Sequence, residues 1–532
     1  MPKLSLIPVF LLFAPAAFAQ NDSCAALVKL ALPHTTITLA QLQPAGSFNL
    51  PKPADAGPQA ENPFRDLPSF CRIVLNLTPS ADSNSAVEVW LPAHNWNRKF
   101  LGVGNGGFAG AIDYTDLAAD VQQGYAAVAS DTGHTGSFID AEWAIGHPEK
   151  VTDFGYRAIH EMTVAGKAIT RAYYATAPAY TFFEACSDGG REALMEAQRF
   201  PTDYNGILAG APANNWTGLL TNGTRLDQAL LLQPGAWFSS AKLPAIQSAV
   251  LAACGSQSGA HDGFVNNPPA CHFDPSVLLC KGEETNACLT QPQITALKTL
   301  YSSMRSASGS ILFPGYSPGG ELGENGWGPW ILGEAPRQSF LYAFGTRYFA
   351  DMVYNDPQWK LESFNVDHAL ADAIRVTAKS VDSTDPDLRP FIRHGGKLIL
   401  YHGWSDAAIP PTSTIAYYQA VRSAIGAKIE DSAVRLFMVP GMQHCGGGPG
   451  PNHFGQDGFV LPSGDAQHNI HLALEAWVEK GTAPQTIIAT KYDAAHKPVM
   501  TRPLCAWPQI ATYKGTGDPN DAASFACTAP TH

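Results

Sequence analysis

The segment Thr181-Phe182-Phe183-Glu184-Ala185-Cys186-Ser187-Asp188-Gly189-Gly190-Arg191-Glu192 admits few folds. An aromatic, strand-forming run passes straight into a helix-forming stretch, and the turn between them consists of small residues around one serine. A sharp strand-to-helix turn of the G-x-S-x-G type leaves the serine hydroxyl exposed at the end of a strand. Ala185 stands where that pattern has glycine. The competing reading is that Ser187 is an ordinary helix cap.

A strand feeding directly into a helix is the unit of a parallel sheet, and the unit recurs. Short apolar runs at Ala86 to Leu91, Lys99 to Val103, Ala126 to Ala129, Tyr180 to Glu184, Gly206 to Ala209, Lys397 to Tyr401 and Val434 to Val439 read as strands. Phe154 to Ala175 and Arg191 to Arg199 read as helices between them. The expected fold class is α/β, a mostly parallel sheet with helices on both faces. The rhythm fails after about Asn215 and resumes at Gly395-Gly396-Lys397, with Cys254, Cys271, Cys280 and Cys288 in the gap. Residues 20–214 and 386–532 are therefore expected to form the sheet domain, and residues 215–385 a lid inserted into it.

Residues 1–19 combine Lys3, an apolar run from Leu4 to Phe13 and the small-residue end Ala17-Phe18-Ala19. That is the form of a secretory signal, cut after about Ala19, and it is too short to span a bilayer as a mature helix. An exported chain of 532 residues with ten cysteines is expected to hold five disulfides. A net charge of -12 and the lack of any Lys/Arg-rich run exclude nucleic acid as a partner, and nothing marks a membrane-bound protein.

A serine nucleophile needs a base, and the base an orienting carboxylate; α/β-hydrolases supply them in chain order Ser, Asp, His. The strand Lys397 to Tyr401 ends in His402-Gly403-Trp404-Ser405-Asp406, and Val434 to Val439 ends in Pro440-Gly441-Met442-Gln443-His444-Cys445. Asp406 and His444 thus follow Ser187 in the required order, each in a loop just past a strand end. Cys186 precedes the serine and Cys445 follows the histidine, so a bridge between them would tie nucleophile to base. The glycine run Gly102-Val103-Gly104-Asn105-Gly106-Gly107 also fits G-x-G-x-x-G, but no helix clearly follows it. A glycine loop after an early strand suits an oxyanion hole better than a dinucleotide.

Cys186-Ser187, Asp406 and His444-Cys445 resemble the CS-D-HC motif of the tannase and feruloyl esterase family of α/β-hydrolases, which includes the mono(2-hydroxyethyl) terephthalate hydrolases. Val439 to Cys445 and Thr501-Arg502-Pro503-Leu504-Cys505-Ala506-Trp507-Pro508 strengthen the resemblance. It implies backbone oxyanion donors at Gly107 and Asp188. It also implies cysteine pairs 24/71, 186/445, 254/271, 280/288 and 505/527. The implied substrates are small aromatic esters: feruloyl esters on plant polysaccharide first, galloyl esters or terephthalate monoesters as alternatives. A non-catalytic phenolic- or glycan-binding protein on the same scaffold is the alternative of a different class.

Trp330 and Phe344 in the aromatic-rich lid, with His402, are the expected substrate contacts. Relatives carry a calcium loop in the lid, beginning at the position of Cys254. Here Gly255 and Ser258 stand at aspartate positions and only Asp262 remains. No cofactor is expected to be required, and calcium binding is expected to be weak or absent, since calcium wants six to eight oxygens with ample negative charge.

Overall fold

A computed structural model describes residues 23–50, 62–260, 262–456 and 464–530, so the secretory signal expected at residues 1–19 lies outside the described residues. Along each strand, successive side chains point to opposite faces, and both faces here are apolar. Phe183, Ala185, Ile207, Leu398, Leu400 and Leu436 enter one core, whereas Phe182, Cys186, Leu208, Ile399, Tyr401 and Phe437 enter the other. A strand buried on both sides reads as a continuous apolar run, which is why its sequence carries no polar alternation.

The central sheet has nine strands: β1 (Thr35–Gln43), β2 (Phe70–Leu77), β3 (Ser85–Pro92), β4 (Lys99–Val103), β5 (Ala126–Ser130), β6 (Tyr180–Cys186), β7 (Gly206–Gly210), β8 (Lys397–Gly403) and β9 (Val434–Val439). Their spatial order is β1-β2-β3-β5-β4-β6-β7-β8-β9. From β5 to β9 every neighbouring pair is parallel, and β1, β2, β3 and β5 pair antiparallel. This is an α/β-hydrolase fold. The parallel register aligns Cys186 with Gly210, Tyr401 with Gly210 and Gly403 with Val439, so the loops after β6, β7, β8 and β9 emerge on one edge.

Helices α1 (Ala158–Tyr174) and α2 (Asp188–Arg199) cover the first core with Ile159, Met162, Ile169, Ala193 and Leu194. Between β7 and β8 the chain leaves the sheet. Helices α3 (Trp216–Leu231) and α4 (Phe340–Arg347) belong to that excursion, which packs into apolar clusters around Trp216, Phe344 and Phe349, shared with Phe108 and Phe154, and around Leu226, Ile246 and Trp327. Beyond β9, α5 (Ile470–Lys480) covers the second core with Ile470, Leu474 and Trp477. The ten cysteines form five disulfides: Cys24–Cys71, Cys186–Cys445, Cys254–Cys271, Cys280–Cys288 and Cys505–Cys527. No helix among the described residues is long and apolar enough to cross a membrane.

Candidate active site

Ser187 sits between β6 and α2 with φ 66° and ψ -122°, a conformation that costs a non-glycine residue of order 1–3 kcal/mol. Its side chain makes no capping bond to α2. The hydroxyl instead faces His444 Nε2 at 2.9 Å, so the helix-cap reading fails on geometry. The turn is held from below, where Ser187 N–H donates to Gly210 O and Ala213 N–H donates to Ser187 O, both at 3.0 Å. Ala185 in the glycine position is tolerated because glycines face it: a Cβ on Gly189 would lie 2.3 Å from the Ala185 Cβ, and one on Gly104 would lie 2.6 Å from it. The need for a missing side chain has moved to its neighbours.

His444 Nδ1 lies 2.8 Å from Asp406 Oδ2. A carboxylate only accepts, so Nδ1 carries the proton and Nε2 is free to accept from the serine. Asp406 Oδ1 takes the N–H groups of Ala408 and Ile409 at 2.7 and 2.8 Å. Burial alone would raise the Asp406 carboxyl, but His444 and His402 hold it far below the usual carboxylate range. It is an anion at every ordinary pH. The segment between β7 and β8 grips both loops: Ser405 Oγ donates to Gly319 O, Gln443 Nε2 donates to Leu322 O, and Asn325 N–H donates to Gln443 Oε1.

The glycine loop after β4 is fixed at several points. Asn105 N–H donates to Glu192 Oε2, Gly189 N–H to Asn105 O, and Phe108 N–H to Phe138 O. His134, pushed down to about 4 by burial, is neutral, and its Nε2–H donates to Phe108 O at 2.8 Å. Gly107 has φ 62°, and a Cβ there would meet Phe138 O at 2.3 Å. No backbone carbonyl among the described residues accepts from the N–H of Gly107 or of Asp188. The Asp188 side chain turns away and pairs with buried Arg191, whose other nitrogens donate to Phe154 O and Gly155 O.

Ser187 and His444 open onto a cavity of about 650 Å³ whose wall includes Gly107, Phe138, Trp216, Trp330, Leu341 and Phe344. The Trp330 ring stands edge-on to His444 at 5.1 Å and is nearly parallel to Phe344 at 6.2 Å. His402 is not on that wall. It is fully buried, with Nδ1 2.8 Å from Thr414 Oγ1 and Nε2 3.1 Å from both Asp406 Oδ2 and Ile409 O, so the expectation of a substrate contact there is corrected. Its ring is consumed by internal hydrogen bonds. Phe138, Asp113 and Asp116 reach the cavity unannounced by the sequence, because the loop after β5 carries Phe138, and the helix Tyr114–Gln122 that follows β4 carries Asp113 at its N-cap and Asp116 in its first turn, to the same edge.

The segment that the family resemblance marks for calcium does not fit the ion. Asp262 Oδ1 accepts from Arg502 Nη2 at 2.7 Å, and Oδ2 accepts from Ser258 Oγ and Asn266 Nδ2, each at 2.7 Å. Both oxygens of its single carboxylate are engaged by donors. Arg502 is buried against the Phe525 ring and also donates to Pro519 O, so a guanidinium already supplies the positive charge.

A sequence model described as "Tannase and feruloyl esterase" matches residues 71–528. An uncharacterized esterase of Xanthomonas campestris pv. campestris is 40% identical over 537 residues, covering 96% of this chain and 92% of that protein. A protein of Aspergillus terreus described as a "Probable feruloyl esterase B-2" is 31% identical over 540 residues, covering 98% of each. The crystal structure of feruloyl esterase B from Aspergillus oryzae superposes with a TM-score of 0.86 at 29% identity, covering 96% of this chain and 100% of that one. An elbow serine hydrogen-bonded to a histidine that an aspartate in turn holds, at one edge of a nine-stranded sheet, and likeness to these proteins along almost the whole chain, lead to one assignment: the chain belongs to the tannase and feruloyl esterase family and is a carboxylic ester hydrolase.

Proposed function

We propose that this esterase cleaves small aromatic-acid esters through an acyl-enzyme on Ser187. The observation that carries the reading is the unbroken relay from Asp406 through His444 to the Ser187 hydroxyl, opening onto an aromatic-walled cavity. Ser187 Oγ attacks the ester carbonyl while His444 Nε2 takes its proton. The oxyanion accepts from the N–H groups of Gly107 and Asp188, each of which contributes about 3–4 kcal/mol to lowering the barrier. His444 then protonates the departing alcohol, water repeats the sequence on the acyl-enzyme, and the aromatic acid leaves. Asp406 holds the imidazole in the productive tautomer and balances its charge. The signal-like pattern of residues 1–19 and the five disulfides support action outside the cytoplasm.

Acyl choice follows from the wall. Among the described residues lining the cavity there is no Lys or Arg, while Asp113 and Asp116 both reach it. Neutral acyl groups are therefore favoured, feruloyl first and galloyl next, over a terephthalate monoester that carries its own carboxylate. One like-charge contact at about 4 Å costs about 1 kcal/mol in water and more where water is excluded. In a panel of methyl ferulate, methyl caffeate, methyl gallate and a terephthalate monoester, the anion is expected to show kcat/KM about tenfold or more below the best neutral ester. A preference for the terephthalate ester would overturn the acyl assignment.

Calcium is expected to do nothing to this chain. Addition of calcium or of a chelator should leave Tm unchanged to about a degree, because a ligand that does not bind the native state does not stabilise it. Arg502→Met, by contrast, leaves Asp262 a buried anion without its main partner and is expected to cost about 3 kcal/mol or more. A calcium-dependent rise of Tm in the unmodified protein would show that the loop binds the ion after all.

A further inference from the structure

His402 lies outside the relay, yet both of its nitrogens are committed. Nε2 stands 3.1 Å from two acceptors, the Asp406 carboxylate and the Ile409 carbonyl. A nitrogen facing only acceptors carries a proton, in the neutral ring and in the charged one alike. Thr414 Oγ1, 2.8 Å from Nδ1 on the helix Thr412–Ile425, fixes the ring's rotation. Asp406 Oδ2 consequently serves two imidazoles, His444 at 2.8 Å and His402 at 3.1 Å, while Oδ1 serves the backbone of its own turn. By bridging Asp406 and Ile409 O, His402 also closes that turn from inside, and Ala408 and Ile409 at its outer side form part of the cavity wall.

We propose that His402 is a positioning residue that divides the Asp406 charge, holding back part of what the carboxylate offers to His444 and so setting the pH at which His444 becomes a competent base. The proposal rests on the serine-esterase reading of the site. The ionisable groups facing this assembly are few. Asp406 and His444 are on the loops after β8 and β9, Tyr316 donates to Ala408 O at 3.3 Å from the segment between β7 and β8, and the Asp227 carboxylate of α3 acts on Tyr316. Tyr316 is raised above the range of ordinary pH, first by burial and then by Asp406 and Asp227, so it stays neutral.

The test compares His402→Leu, which removes the donor, with His402→Gln, whose amide N–H reaches toward the place of Nε2. In His402→Leu the carboxylate is left to His444 alone, so the acid limb of the kcat/KM profile should move upward by about half a pH unit or more, with kcat about tenfold lower. His402→Gln should restore the limb. If the leucine variant does not fold, Thr414→Val serves instead, with a smaller shift in the same direction as the ring loses its anchor. Acid limbs that coincide in all folded variants, whatever happens to kcat, would reduce His402 to a loop anchor and overturn the proposal. To separate this from failure of the reaction itself, the downfield proton resonance of His444 Nδ1 is followed in Ser187→Ala with and without His402→Leu. A resonance that moves on losing His402 supports the divided charge even if Ser187→Ala retains turnover, in which case only the serine mechanism falls; one that does not move overturns it.

Discussion

Ser187→Ala is expected to lower kcat on an aryl ester by about four orders of magnitude or more, with the fold intact. Only the hydroxyl is removed, and among the described residues its one hydrogen bond is to His444. Alanine keeps the Cβ, so the backbone at φ 66° and ψ -122° stays as strained as before, and Tm should change little. Ser187→Gly makes the complementary point, since it should be equally inactive and yet slightly more stable. Rate lost together with stability gained marks a residue held in place for chemistry rather than for folding. The comparison needs only nitrophenyl acetate turnover and a melting curve. Because the relay acts as a unit, adding His444→Ala to Ser187→Ala should cost almost nothing further. Turnover that survives Ser187→Ala would remove the nucleophile and with it the acyl-enzyme.

What the sequence made legible follows from where the information is local. All seven strands read from apolar runs lie within β3 to β9, because a strand buried on both faces declares itself by continuous hydrophobicity. The edge strand β1 and its neighbour β2 escaped; β1 is half-buried, and its polar Thr35-Thr36 and Gln41 interrupt the run. Ser187, Asp406 and His444 were visible because a parallel sheet sends every strand end to one edge, so a reactive residue just after a strand advertises its place. His402 shows the limit of that rule. It too is at a strand end, but four residues before Asp406 and facing inward, and only the folded turn reveals that both its nitrogens are spoken for. Phe138 and Asp113 could not be read at all, because reaching the cavity depends on how separate loops meet rather than on their own spacing.

Breaking the Cys186–Cys445 bridge is expected to cost activity out of proportion to structure. The two cysteines are 259 residues apart in the chain but flank Ser187 and His444 directly. Cys186 is anchored in the sheet, on the face packed by Leu208, Tyr401 and Val439. Cys445 is not in the sheet; it has φ 59° and leads into Gly446-Gly447-Gly448, a run with little intrinsic preference for one conformation. The bridge therefore transfers the rigidity of β6 to the histidine loop, which is otherwise tied by Gln443 to Leu322 and Asn325. Closing so long a loop is worth about 5–6 kcal/mol on the chain-entropy account. A displacement of about 1 Å between base and nucleophile can cost about a hundredfold in rate. The Cys186→Ser/Cys445→Ser protein should thus lose about a hundredfold or more in kcat with KM changed far less, and should melt at lower temperature. Cys280→Ser/Cys288→Ser is the control, because that bridge spans only 8 residues and lies away from the cavity wall. It should lower Tm slightly and leave kcat alone. If both pairs reduce Tm and neither touches kcat, the bridge beside the serine is a staple for the fold, and the position of His444 is secured by Gln443 and Asp406 without it.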